Sequence, residues 1–137
     1  MTLSAAESAS AQSPLPVLLI EDEPAVMDLL RTTLERSGYT VMCSGSGAEG
    51  LRLLESGRFL GVVSDMRTPG GVDGADVHAW VVQYRPDLAS RVVLITGDIA
   101  DEQTVTKLRK TGVPWVEKPF GVQQLISVVQ QTMGKAL

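Results

Sequence analysis

Five polar residues in this chain stand at the end of a short apolar run or directly after one: Glu21 and Asp22, Asp65, Thr96 and Lys118. Three are carboxylates, and carboxylates brought to one point repel each other unless a cation lies between them. Oxygen donors with no histidine or cysteine among them favour a hard divalent ion, Mg²⁺ with Mn²⁺ as the alternative, over zinc. The lysine adds a fixed positive charge and the threonine a hydroxyl donor. Such a set holds a nucleophile, a metal and two donors, the parts a phosphoryl group needs as charge spreads over its equatorial oxygens. Each residue alone has a plainer reading. Glu21-Asp22-Glu23 suits an acidic turn at a helix N-terminus, where the macrodipole favours anions. Asp65 suits an ordinary loop carboxylate, Lys118 a surface lysine and Thr96 a β-branched strand residue. Joint placement decides, and that depends on the elements that carry them.

Those elements alternate. The apolar block Val17–Ile20 is too short for a helix and suits a strand buried on both faces. Pro24 then opens a helix in which Val26, Leu29, Leu30 and Leu34 mark one stripe, closed by Ser37-Gly38. Residues 39–43 read as the second strand, with Cys43 a buried, reduced thiol. Ala48, Leu51 and Leu54 mark the second helix, ending near Gly57. Residues 60–64 are the third strand, followed by a glycine-rich loop and a helix from about Gly74, with Val77, Val81 and Tyr84 on one face. Residues 91–96 (RVVLIT) are the fourth strand, 101–110 a helix with a thin apolar side of Val105 and Leu108, and 113–116 the fifth strand. Val122, Leu125, Ile126, Val129 and Met133 stripe the last helix.

Strands that alternate with helices imply a parallel sheet with helices on both faces and right-handed crossovers. In such sheets ligands bind at the carboxyl ends of the strands, near a switch in strand order. That rule carries Glu21, Asp22, Asp65, Thr96 and Lys118 to one edge.

The segments LLIEDEP (residues 18–24), VVSDMRTPGGVDG (62–74), VVLITGD (92–98) and VEKPF (116–120) stand in the order and at the spacing of one family. From residue 15 to residue 133 the chain resembles a two-component response-regulator receiver domain. The resemblance implies a flavodoxin-like (βα)₅ fold, a doubly wound five-stranded parallel sheet in the order 2-1-3-4-5. It implies that Asp65 accepts a phosphoryl group as an acyl phosphate, and that Asp22, Asp65 and the backbone carbonyl of Arg67 bind Mg²⁺, with Glu21 helping through water. Thr96 is expected to hydrogen-bond the phosphoryl group and move towards it, and Lys118 to pair with that group or with Asp65. The Lys118–Pro119 bond is expected to be cis. Trp115 falls at the aromatic switch position, although an aromatic near a strand end is equally a packing residue. The implied partner is a histidine kinase or histidine phosphotransfer protein, and the helix-four, strand-five, helix-five face is the expected surface for a homodimer.

Two departures from the family pattern stand out. The loop after Pro69 reads GGVDG, one residue longer than the commonest form. Gly97 follows Thr96 where alanine is frequent, which should leave the phosphate accessible. The resemblance also puts Arg67 and Asp98 at the two positions that flank the phosphate in this family, and an ion pair between them would tune its lifetime. His78 reads as a surface or half-buried helix residue, and Lys107, Arg109 and Lys110 as a solvated helix end.

With 12 basic and 16 acidic residues among 137 the formal charge is −4, which argues against broad binding to nucleic acid by this domain. Cys43 is the single cysteine, so neither an intramolecular disulfide nor a cysteine-rich zinc site is available. No apolar run reaches membrane-spanning length, and a cytoplasmic location is expected. Residues 1–14, small and polar, read as a flexible tail or linker remnant, and 15–137 as the domain, standing alone or belonging to a larger regulator or hybrid kinase. Two rival readings are a degenerate receiver that serves only for interaction or dimerisation, and a hydrolase with an aspartyl-phosphate intermediate. The hydrolase would need an acid/base carboxylate two residues after the nucleophile, where Arg67 stands, so turnover of external substrates is not expected.

Overall fold

The computed structural model describes residues 15–97 and 99–135, so the tail expected over 1–14, Asp98 and the last two residues lie outside the described residues. Strand β1 (Val17–Ile20), β3 (Gly61–Asp65) and β4 (Val92–Thr96) are buried at every position, as strands covered on both faces must be. Between and after them run α1 (Pro24–Arg36), β2 (Val41–Ser44), α2 (Gly47–Ser56), α3 (Gly74–Tyr84), α4 (Glu102–Thr111), β5 (Trp115–Glu117) and α5 (Val122–Met133). Short 3₁₀ turns occupy Pro69–Gly71 and Pro86–Leu88.

All strands pair in parallel in the order β2-β1-β3-β4-β5. Alternate residues of each central strand feed two separate cores. Leu18, Ile20, Val62, Val92 and Leu94 pack with Leu54 of α2, Val77 and Val81 of α3 and Leu108 of α4. Val17, Leu19, Val63, Val93 and Ile95 pack with Leu30 and Leu34 of α1 and with Leu125, Val129 and Met133 of α5. The flavodoxin-like order expected from the sequence is therefore present. It places the switch in strand order between β1 and β3, directly below Asp22 and Asp65.

Several boundaries and faces differ from the sequence reading. The second strand starts at Val41 rather than residue 39, because Tyr39 finishes the preceding turn: its N–H bonds the Leu34 carbonyl and its hydroxyl donates to the Gly134 carbonyl at 2.6 Å. The third strand extends to Asp65, the fourth begins at Val92, and the fifth runs over Trp115–Glu117. Leu29, Tyr84 and Val122, assigned to buried stripes, are exposed, since the arc each helix turns to its core is narrower than its apolar stripe. Cys43 is half-buried on the edge strand and free, its thiol pKa pushed up by burial.

Gly74 sets how closely α3 approaches the sheet edge. A Cβ there would lie 2.9 Å from the Asp65 carbonyl oxygen and 2.9 Å from Leu94 Cδ2. Its absence lets the Gly74 N–H bond the Met66 carbonyl at 3.0 Å, which fixes the chain immediately after Asp65.

Candidate functional site

Glu21 leaves β1 with its backbone N–H on the Ser44 carbonyl and its side chain fully buried. One of its carboxylate oxygens accepts from the Glu23 N–H at 3.1 Å, the other from Lys118 Nζ at 3.3 Å. Asp65, the last residue of β3, is 6% exposed. Its Oδ1 accepts from the Arg67 N–H at 3.1 Å and its Oδ2 from Lys118 Nζ at 2.7 Å. Lys118 is delivered by β5: its N–H bonds the Thr96 carbonyl at 2.7 Å, locking the end of β5 to the end of β4. The Lys118–Pro119 bond is cis, as expected.

Burial pushes the Glu21 carboxyl up to about 7; the Glu23 N–H works against this, nearby Asp65 adds to it, and the Lys118 charge offsets part of it. Burial alone would lower Lys118, yet its hydrogen bond and charge contact with Asp65, with Glu21 behind, raise its pKa. One ammonium thus serves two buried carboxylates.

Asp22 is exposed and turns to the same point. Oxygens of Glu21, Asp22 and Asp65 lie within 4.8 Å of one another. Three carboxylates against one lysine leave an excess of negative charge, and the donors are all oxygen, so a divalent cation such as Mg²⁺ fits this set in both charge and chemistry. Above it opens a cleft of about 570 Å³, lined among others by Asp22, Asp65, Arg67, Gly97 and Lys118.

The expected site residues fall as follows. Glu21, Asp22, Asp65 and Lys118 converge. Thr96, 1% exposed, ends β4 beside them, and Arg67 and Gly97 rim the cleft. A Cβ at Gly97 would meet only Lys118 side-chain carbons, at 3.6 and 3.7 Å, so sterics do not demand glycine there. Trp115 opens β5, half-buried against the core shared by α2, α3 and α4. Asp98 lies outside the described residues, so the pair expected with Arg67 has no geometry here. His78 is half-buried on α3, with its pKa lowered by burial.

Two links were not foreseen. Thr68 Oγ1 donates to the Val72 carbonyl and accepts from the Gly47 N–H at 3.2 Å, tying the loop after Asp65 to the start of α2. Lys107 Nζ, counted among solvated charges, contacts Asp73 Oδ2 at 2.5 Å. The only sequence signal for the second link is Asp73 itself, whose spacing to Asp76 suits a helix cap.

This architecture coincides with a known class. The model of the response regulator receiver domain matches residues 17–130. The chain belongs to that family, the signal-transduction modules of two-component systems. It is 32% identical over 97 residues to the transcriptional regulatory protein GlrR of Escherichia coli K12, covering 71% of this chain and 22% of that protein. It is 31% identical over 120 residues to the C4-dicarboxylate transport transcriptional regulatory protein DctD of Rhizobium meliloti, covering 87% of this chain and 25% of DctD. The chain therefore spans about a quarter of the length of these relatives. Among solved structures it is similar to the signal receiver domain of a signal transduction histidine kinase from Syntrophus aciditrophicus, with a TM-score of 0.79, 28% identity, and 87% and 89% of the two chains covered. Among the described residues no helix is long and apolar enough to cross a membrane.

Proposed function

We propose that Asp65 is the reversible phosphate acceptor of a two-component switch, loaded from a phospho-histidine of a histidine kinase or histidine phosphotransfer protein. The observation that carries this reading is the buried Asp65 carboxylate, held at the sheet edge by the Arg67 N–H and Lys118 and open to a cleft. A carboxylate oxygen of Asp65 attacks phosphorus in line, the P–N bond to imidazole breaks, and the ring nitrogen keeps the electron pair. Lys118 transfers its contact from Asp65 to the phosphoryl oxygens, and the Thr96 hydroxyl donates to another. Glu21, Asp22, Asp65 and the Arg67 carbonyl would hold Mg²⁺, which when bound neutralises the carboxylates and the incoming phosphoryl charge. Hydrolysis reverses the state: water attacks phosphorus, the acyl P–O bond breaks, and the Asp65 carboxylate and inorganic phosphate are restored.

Movement of Thr96 towards the phosphoryl group shifts an equilibrium at the face of α4, β5 and α5, with Trp115 turning inwards. That face is the proposed surface for a homodimer. With a formal charge of −4 the chain has no excess of cations with which to hold DNA, so it is read as the input of a pathway and not as its DNA-binding output. A cytoplasmic location follows from this role. Gly97 leaves the phosphoryl position accessible, and Arg67, at the rim of the cleft, is assigned with Asp98 to tuning its lifetime.

The bond chemistry tests this reading. After incubation with a small phosphodonor and Mg²⁺, phosphate bound as an acyl phosphate is released by hydroxylamine, leaving a hydroxamate at Asp65 in the peptide map. Label that survives hydroxylamine, or that maps to another residue, contradicts it.

A further inference from the structure

Helix α4 is the most weakly seated helix of the fold. Among the described residues, each of the other four α-helices buries three residues, whereas α4 buries Leu108 alone, with Val105 half-buried beside it. Its other faces carry Glu102, Gln103, Thr106, Lys107, Arg109 and Lys110, all exposed. A helix with so little apolar contact depends on polar ties to stay where it is.

One such tie reaches the loop that follows Asp65. Lys107 of α4 contacts Asp73 across a polar cavity of about 420 Å³, with Arg67, Thr68 and Asp73 on one wall and Asp101, Thr104 and Lys107 on the other. Arg67 and Thr68 also line the cleft above Asp65, so the two spaces share a wall. The Asp73 end of the tie is rigid. Its Oδ1 accepts from the Asp76 N–H at 2.8 Å and its own N–H donates to Asp76 Oδ2 at 2.9 Å, a reciprocal cap on α3. Behind it, Thr68 fastens the loop to α2. The Lys107 end rides on the loosely held helix. Asp73 is supplied by the GGVDG stretch that follows Pro69.

We propose that the Lys107–Asp73 ion pair is a latch that holds α4 in its resting seat, so that its strength sets how much of the domain occupies the switched form. The latch rests on the switch reading of Asp65. While it holds, a ligand that favours the switched form must first release α4, and its apparent affinity falls by the fraction of molecules already released. Breaking a partly exposed ion pair raises that fraction roughly two- to five-fold.

The test is calorimetric titration of the full chain with beryllofluoride, a phosphoryl mimic, in saturating Mg²⁺, comparing wild type with Lys107→Met and Lys107→Arg. Lys107 is half-exposed, and both variants leave the α3 cap intact. The latch predicts that K107M binds the mimic roughly two- to five-fold more tightly while K107R stays close to wild type. A merely structural role for Lys107 would leave the affinity unchanged or weaken it, and either result overturns the latch. Equal tightening in K107M and K107R overturns it too, because K107R keeps the charge. Asp65→Asn separates the two levels: if wild type and D65N bind the mimic alike, the reading of Asp65 fails and the latch falls with it.

Discussion

Lys118 Nζ lies 2.7 Å from Asp65 Oδ2, and with a second contact to Glu21 it is the side-chain cation that the structure sets between two buried carboxylates. The side chain of Lys118 is 23% exposed and that of Asp65 8%, so water screens the contact from one side only. The pair both poises Asp65 and stops the sheet edge from repelling itself.

Replacing Lys118 with Met removes the partner of two buried acids. Loss of a partner from a fully buried pair costs about 3–5 kcal/mol, and one-sided solvent access reduces this to roughly 1–2 kcal/mol. Urea unfolding in chelator should show that loss for K118M, and Mg²⁺ should restore part of it. A variant as stable as wild type in chelator contradicts the shared-cation description.

Mg²⁺ itself should stabilise the fold by linkage. At a free concentration ten times its Kd it adds about 1.4 kcal/mol to unfolding. Asp22→Asn should abolish this gain. Without metal the variant should be at least as stable as wild type, because one of three converging carboxylates is gone. Equal Mg²⁺ stabilisation of wild type and D22N would place the ion elsewhere.

The sequence made much of this visible, for definable reasons. Val17–Ile20 is a four-residue apolar block at the centre of the sheet, where burial on both faces leaves no ambiguity of pattern. Edge strand β2 is harder, because Tyr39 has strand-like character yet packs at the end of α1 and bonds the far end of α5. Hydropathy identified the stripes of α1, α3 and α5 but not where their buried arcs stop, so Leu29, Tyr84 and Val122 emerged exposed. The site was legible because one rule of α/β sheets gathers strand ends. The Lys107–Asp73 contact follows no such rule: it joins residues 34 apart through a loop path and a helix position that no local pattern encodes.

Acid should weaken the α3–α4 region in a defined direction. Burial works to raise the Asp73 carboxyl, but the Lys107 hydrogen bond and the Asp76 N–H outweigh it and hold its folded pKa below the ordinary value. A depressed carboxylate contributes stability that is present above its unfolded pKa, about 3.9, and is lost as pH falls through the lower folded value. Asp73→Asn keeps an acceptor for the cap but has no charge to titrate. The stability gap between wild type and D73N should therefore be constant from about pH 7 to pH 5 and shrink below about pH 4. Urea midpoints across that range measure it, and a gap that widens in acid would contradict the assignment.

The most direct measurement is the intact mass of the chain after incubation with a small phosphodonor and Mg²⁺. The account predicts one phosphoryl adduct on the wild-type chain, dependent on the metal and lost in Asp65→Asn. No adduct on the wild type, or an adduct that survives in D65N, would contradict the assignment of Asp65 as the phosphate acceptor.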